Sequence, residues 1–176
     1  MSETSRKHKA SAPKQLKFAV FVCSTSRYEE LQRGEKITDV SGDTIEALLK
    51  SGGHVVLSRK IIADDKRLIE EAVKNVLNSA EIDAAIFCGG TGIAPKDVTI
   101  ETVQPFLEKV LPGFGEIFRR LSYDKVGSAA VMSRAVAGVA KGKAVFCIPG
   151  SPDAVQVSVE MLILPEAPHI VRHIRE

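Results

Sequence analysis

Over residues 84–99 the chain passes from a wholly apolar run, Ala84-Ala85-Ile86-Phe87-Cys88, straight into Gly89-Gly90-Thr91-Gly92. An acid, Asp97, and a hydroxyl able to cap a helix, Thr99, follow. The order reads as strand, bare-backbone loop, helix. Without a Cβ in the way, the N–H groups of such a loop can approach a phosphate closely. An acid beside a phosphate site implies a divalent cation. The loop has no Walker A lysine and does not fit the dinucleotide fingerprint, and glycine-rich turns after strands can be purely structural. The stretch therefore points to a phosphorylated, Mg²⁺-dependent substrate without naming it.

The rest of the chain repeats the alternation. Strands are expected over 18–23, 54–62 and 82–88. Helices are expected over 43–50, stopped by Gly52-Gly53, and after Asp64-Asp65, where Leu68, Ile69, Ala72, Val73, Val76 and Leu77 recur at helical spacing. The polar stretch 24–40 reads as a long functional loop. A helix over 99–110 should be kinked by Pro105, and 112–115 reads as a turn before a helix over 116–122. Two strands, 129–140 and 144–148, read as a hairpin about Lys141-Gly142. A helix over 153–162 should end before Pro165 and Pro168, with a last short helix to 175. Strands alternating with helices argue for a three-layer α/β/α sandwich with a mainly parallel sheet plus a β-hairpin. Ligands in such sheets sit outside the carboxyl ends of strands, and three polar segments fall there: 24–27, 89–97 and 149–152.

Composition excludes several classes. The chain of 176 residues is 44% hydrophobic and 26% charged, with a net charge of +2, which fits one globular domain. Residues 1–17 hold five bases and one acid, leaving 19 bases and 21 acids elsewhere. The basic character thus belongs to a tail over 1–15, expected to be disordered, and the domain over 16–176 is not expected to bind nucleic acid. No apolar run reaches the roughly 18 residues of a membrane helix, and the N-terminal stretch has no secretory signal pattern. Cys23, Cys88 and Cys147 show no Cys-x-x-Cys spacing and read as small core residues in a reducing cytosol.

Each candidate site residue has a plain structural alternative. Asp97 can cap its own loop, and Asp64 or Asp65 can cap the helix that follows. The functional reading has Asp64 and Asp97 sharing a metal across a crevice. Pro149-Gly150-Ser151-Pro152 ends another strand. There Ser151 and the helix N-terminus can face an anion or simply form a cap. Arg134, after Ser133, can fork onto a phosphate or pair with a surface acid.

Together these motifs resemble the MoaB/Mog molybdopterin-binding family over about residues 17–165. The match rests on Gly89-Gly90-Thr91-Gly92 with Asp97-Val98-Thr99, Pro112-Gly113-Phe114-Gly115-Glu116, Ser133-Arg134-Ala135-Val136-Ala137-Gly138 and Pro149-Gly150-Ser151-Pro152, with Asp39-Val40-Ser41-Gly42 as a further early loop. The stretch 113–138 is closest to the MoaB branch. The resemblance implies molybdenum cofactor biosynthesis. It implies Mg²⁺-dependent adenylylation of molybdopterin, with ATP as co-substrate and pyrophosphate as product. It also implies a homotrimer or homohexamer, and a molybdate-inserting enzyme downstream. Asp64 and Asp97 would be the catalytic, metal-holding acids. Gly89, Gly90, Thr91, Gly92, Ser133, Arg134, Pro149, Gly150 and Ser151 would bind substrate, and Glu116 would be structural or contact the nucleotide. Where active members often carry Pro-Asp-Glu, this chain has Ala63-Asp64-Asp65, keeping the key acid. A non-catalytic molybdopterin carrier of the MoaB type is the alternative.

Overall fold

The structure, a computed structural model, describes residues 13–176; most of the expected basic tail lies outside the described residues. Wholly apolar runs form the central strands because both of their faces can be buried under helices. They are β1 (Lys17–Cys23), β3 (Ala84–Cys88) and β6 (Lys143–Ile148), flanked by β2 (Val55–Ile62), β5 (Val136–Ala140) and β4 (Lys109–Val110). The described residues build one sheet in the order β2-β1-β3-β6-β5-β4. The β2, β1, β3 and β6 pairings are parallel. The β5–β6 hairpin and β4 are antiparallel. A register shift between Phe18 and Ala19 leaves an extra residue on β2, a bulge at Leu57.

Alternation along the strands divides the core. Phe18, Val20, Ile86, Phe146 and Ile148 face one way. They pack against Ile45 and Leu49 of α2 (Val40–Ser51) and against the C-terminal helices α6 (Pro152–Gln156) and α7 (Leu164–His173). Phe21, Phe87, Val145 and Cys147 face the other way, onto Ile69, Val73 and Val76 of α3 (Lys66–Asn78) and onto Ile100 and Val103 of α4 (Thr99–Val103). The Phe21 and Phe87 rings stack with centroids 4.9 Å apart. The three-layer expectation holds.

Several local expectations do not. The stretch read as a long loop contains α1 (Thr25–Gln32), a helix that buries no residue; with no apolar face it had no periodicity to read. The single helix expected over 99–110 is α4, a 3₁₀ turn at Gln104–Phe106 and β4. Pro105 sits in the first turn of that 3₁₀ segment, where its missing N–H costs little. Residues 112–115 are not a turn but the first turn of α5 (Pro112–Val126). A Cβ on Gly115 would lie 2.6 Å from the Ala135 carbonyl oxygen, so the absent side chain lets the helix seat. The first part of the expected strand over 129–140 is a 3₁₀ segment, Gly127–Met132. The prolines 165 and 168 do not end the C-terminal helix. A wide π-type segment, Val157–Ile163, joins α6 to α7, and Pro165 falls in the first turn of the resumed α-helix.

No helix of the described residues is long and apolar enough to cross a membrane. Phe146 is 1% exposed at the centre of the sheet, with its ring 5.6 Å from that of Phe114. Phe146→Ala is expected to cost about 3–5 kcal/mol, read as a lowered urea midpoint with an unchanged slope.

Candidate active site

The carboxyl ends of β1, β3 and β6 meet at two glycines. Gly89 has φ +103° and donates its N–H to the Ile148 carbonyl at 2.9 Å. A Cβ there would overlap the Cys23 carbonyl oxygen. A Cβ on Gly150 would lie 3.4 Å from Gly89 Cα, and Ser41 Oγ donates to the Gly150 carbonyl at 2.8 Å. The three polar segments expected to converge do so here.

Asp64 follows β2 and is tied to the residue that opens α1. Thr25 N and Thr25 Oγ1 donate to Asp64 Oδ2 at 3.0 and 3.1 Å, and Asp64 N donates back to Thr25 Oγ1 at 3.1 Å. Asp65, not Asp64, caps α3, its Oδ1 accepting from the N–H groups of Arg67 and Leu68. That leaves Asp64 Oδ1. It is buried and without a hydrogen-bond partner among the described residues, as is Thr99 Oγ1. Both border Gly90, where a Cβ would overlap Asp64 Oδ1 and lie 2.5 Å from Thr99 Oγ1. A buried carboxylate oxygen left unpaired is costly, so the loop holds an acceptor waiting for a cation or a donor.

Asp97 stands seven residues beyond Gly90 on the same loop. A Cβ on Gly92 would lie 2.6 Å from Asp97 Oδ2, and this oxygen accepts from Ala94 N at 2.8 Å. One oxygen thus closes the loop, as its plain reading has it. Asp64 and Asp97 flank one glycine loop at Gly90 and Gly92. Among the described residues no cluster of three or more His, Cys, Asp and Glu side chains could hold a metal. The acids present fit Mg²⁺, which typically takes one or two carboxylates and completes its shell with substrate phosphates and water.

Arg134 donates from Nε to the Thr91 carbonyl at 2.9 Å and forks onto Glu101 at 2.5 and 3.2 Å. It holds the glycine loop from behind, and its hydrogen bond keeps the Glu101 carboxyl below the usual carboxylate range. Ser133, Pro149 and Ser151 line one small cleft of about 80 Å³ with Lys125 and Phe118. Ser151 Oγ also caps α6, accepting from Ala154 N at 3.4 Å.

Sequence reasoning missed Thr25 as the clamp on Asp64, although it placed 24–27 at the crevice. Lys125, a lone lysine on a helix, carries no sequence signal that would place it beside Ser133 and Ser151 in this cleft. The Asp39 loop is anchored by charge. Asp39 is 5% exposed and accepts from Arg59 Nη2 at 2.6 Å, and its Oδ1 accepts from Gly42 N.

Comparison with known proteins then fixes the family. Residues 19–169 match the family described as probable molybdopterin binding domain. The chain belongs to that family. It is 43% identical over 172 residues to molybdenum cofactor biosynthesis protein B of Bacillus subtilis, covering 97% of each chain. It is 39% identical over 163 residues to the probable molybdopterin adenylyltransferase of Methanocaldococcus jannaschii, covering 93% of this chain and 96% of that one. The crystal structure of the tungsten cofactor synthesizing protein MoaB from Pyrococcus furiosus superposes with a TM-score of 0.82 at 38% identity, over 94% of this chain and 100% of the other.

Burial pushes the Cys23 thiol up to about 12, and the Asp64 carboxylate adds to it. Cys88 and Cys147 are raised as well, chiefly by burial. At pH 8 all three stay protonated, so no thiol should react with a disulfide reagent in the native protein, while three react in denaturant. Because the folded-state values are raised, this contribution to stability is whole below about pH 9 and is lost as the pH climbs toward 12. Gly90→Ala puts a side chain on a backbone with φ +60°. It is expected to cost about 1–2 kcal/mol for the left-handed conformation, read by urea unfolding, and to displace Asp64 Oδ1.

Proposed function

We propose that this protein adenylylates molybdopterin in molybdenum cofactor biosynthesis, using ATP and releasing pyrophosphate. The observation that carries the reading is the buried, unpaired Asp64 Oδ1 held over bare Gly90 by the Thr25 clamp. The name of the Methanocaldococcus jannaschii relative supports the same chemistry.

A phosphate monoester is already anionic, so its attack on the α-phosphorus of ATP needs no strong base. The protein's work is to hold two anions together in line and offset their charge. Asp64 and Asp97 would hold Mg²⁺. The ion supplies charge neutralisation for the triphosphate and the departing pyrophosphate. The Gly89 N–H is taken by the Ile148 carbonyl, but Gly90 and Gly92 carry no Cβ over their N–H groups, which suits them to phosphate oxygens. Thr25 fixes the rotamer of Asp64, and Arg134 keeps the loop in place through the Thr91 carbonyl. Ser133, Ser151 and Lys125, around one cleft, are suited to the pterin side. We also expect a homotrimer or homohexamer. Exposed apolar side chains along and after α5, Ile117, Tyr123, Val126 and Val131, support self-association.

Asn at position 64 keeps an oxygen for Thr25, and Asn at position 97 keeps one for Ala94, so both variants remove charge while preserving the loop's hydrogen bonds. Asp64→Asn and Asp97→Asn should each lower pyrophosphate release from molybdopterin and Mg-ATP by about 10²–10³-fold, with unchanged unfolding midpoints. Tight molybdopterin binding by the native protein with no pyrophosphate release would overturn the catalytic reading in favour of a carrier.

A further inference from the structure

His169 and His173 stand one turn apart on α7, so their rings leave the same side of the helix. The ring centroids are 4.6 Å apart and the two Nε2 atoms 2.9 Å apart. Each remaining ring nitrogen faces a carboxylate. His169 Nδ1 lies 3.2 Å from Glu166 Oε2, and His173 Nδ1 lies 3.2 Å from Glu176 Oε2. A neutral imidazole carries one N–H and one lone pair. With each Nδ1–H given to its carboxylate, both Nε2 atoms bring a lone pair to one small space at contact distance. That arrangement is repulsive unless a proton or a cation lies between them. A carboxylate behind the far nitrogen is also how metal-ligating histidines fix their tautomer and gain basicity.

The spacing discriminates among ions. Metal–imidazole bonds run about 2.0–2.1 Å, so a right angle at the metal places the nitrogens about 2.9 Å apart and a tetrahedral angle about 3.4 Å. The observed 2.9 Å is the length of a hydrogen bond between the rings and also that of the right angle, the cis geometry of tetragonal Cu²⁺ or Ni²⁺ rather than tetrahedral Zn²⁺. The pair borders a cavity of about 510 Å³ also lined by Glu108, Lys109 and Gly142. His173 is 45% exposed and His169 22%, so an ion can reach them from solvent. Gly142 lies in the turn that precedes β6, whereas the glycine loops follow the carboxyl ends of β3 and β6. The histidine pair therefore sits at the opposite end of the sheet from Asp64 and Asp97.

We propose that His169 and His173 form a two-histidine chelate for a tetragonal divalent transition-metal ion, Cu²⁺ or Ni²⁺, with water filling the other positions. The site is separate from the adenylylation crevice and does not depend on that reading. It joins two successive turns of the C-terminal helix, so occupancy stabilises the folded chain in proportion to the ion's preference for it.

The test uses untagged, metal-stripped full-length protein and the ions themselves. Added Cu²⁺ or Ni²⁺ should raise the melting temperature, and a chelator should reverse the rise. His169→Gln and His173→Gln should each weaken binding at least about tenfold, and Glu166→Gln by about tenfold through the tautomer it sets. His8→Gln should leave binding unchanged. The electron paramagnetic resonance spectrum of the Cu²⁺-loaded wild type, which needs no variant, should show two imidazole nitrogens. Absence of binding by the wild type would mean that a shared proton accounts for the contact and would end the proposal. A single coordinated nitrogen, or binding that survives both histidine substitutions, would end it equally.

Discussion

Everything at the crevice depends on three strands ending within touching distance of one another. The Gly89 backbone lies against the Cys23 carbonyl, and Gly150 lies against Gly89. A side chain at Gly89 would wedge the strand ends apart, and one at Gly150 would rest directly on Gly89. Parallel strands carry their loops out at a common edge, so this proximity draws residues separated by over a hundred positions, such as Ser41 and Gly150, into one hydrogen-bonded rim. The sheet supplies the alignment and glycine supplies the closeness.

Within that rim the two acids have different duties. Asp97 devotes one oxygen to its own loop, and its position is set by local chain geometry. Asp64 is held from a distance: the hydroxyl and amide of Thr25, at the end of a neighbouring strand, take one carboxylate oxygen and leave the other buried and unmatched. A group clamped in this way loses little further freedom on meeting a ligand, which is how preorganised charge becomes effective. Arg134 serves as scaffold, gripping the loop's carbonyl while Glu101 occupies its fork.

The strongest periodicities were legible. The apolar runs ending at Cys23, Cys88 and Ile148 are central strands because nothing but a sheet covered on both faces buries every residue of such a run. The amphipathic pattern from Leu68 to Leu77 is α3. The glycine loop with Asp64 and Asp97 at its flanks was legible from residue type and position alone. What escaped depended on context. The helix α1 has no buried face to announce it. Gly113 and Gly115 suggested a turn because the close approach of Ala135 is a tertiary fact. Pro165 signalled a break that a π-type widening upstream absorbs. The Thr25 clamp spans 39 residues, a distance over which no local pattern can speak.

The bulge at Leu57 has a bearing on the molecule's solubility. β2 is one margin of the sheet and β4, two residues long, is the other. An unprotected margin invites another chain to add a strand and so begin a fibril. On β2 the extra residue breaks the regular spacing of free amides, and Arg59 and Lys60 place charge beside it. On the far side there is too little strand for a newcomer to pair with. Among the described residues, neither margin of the sheet thus offers a long, regular edge for a further strand.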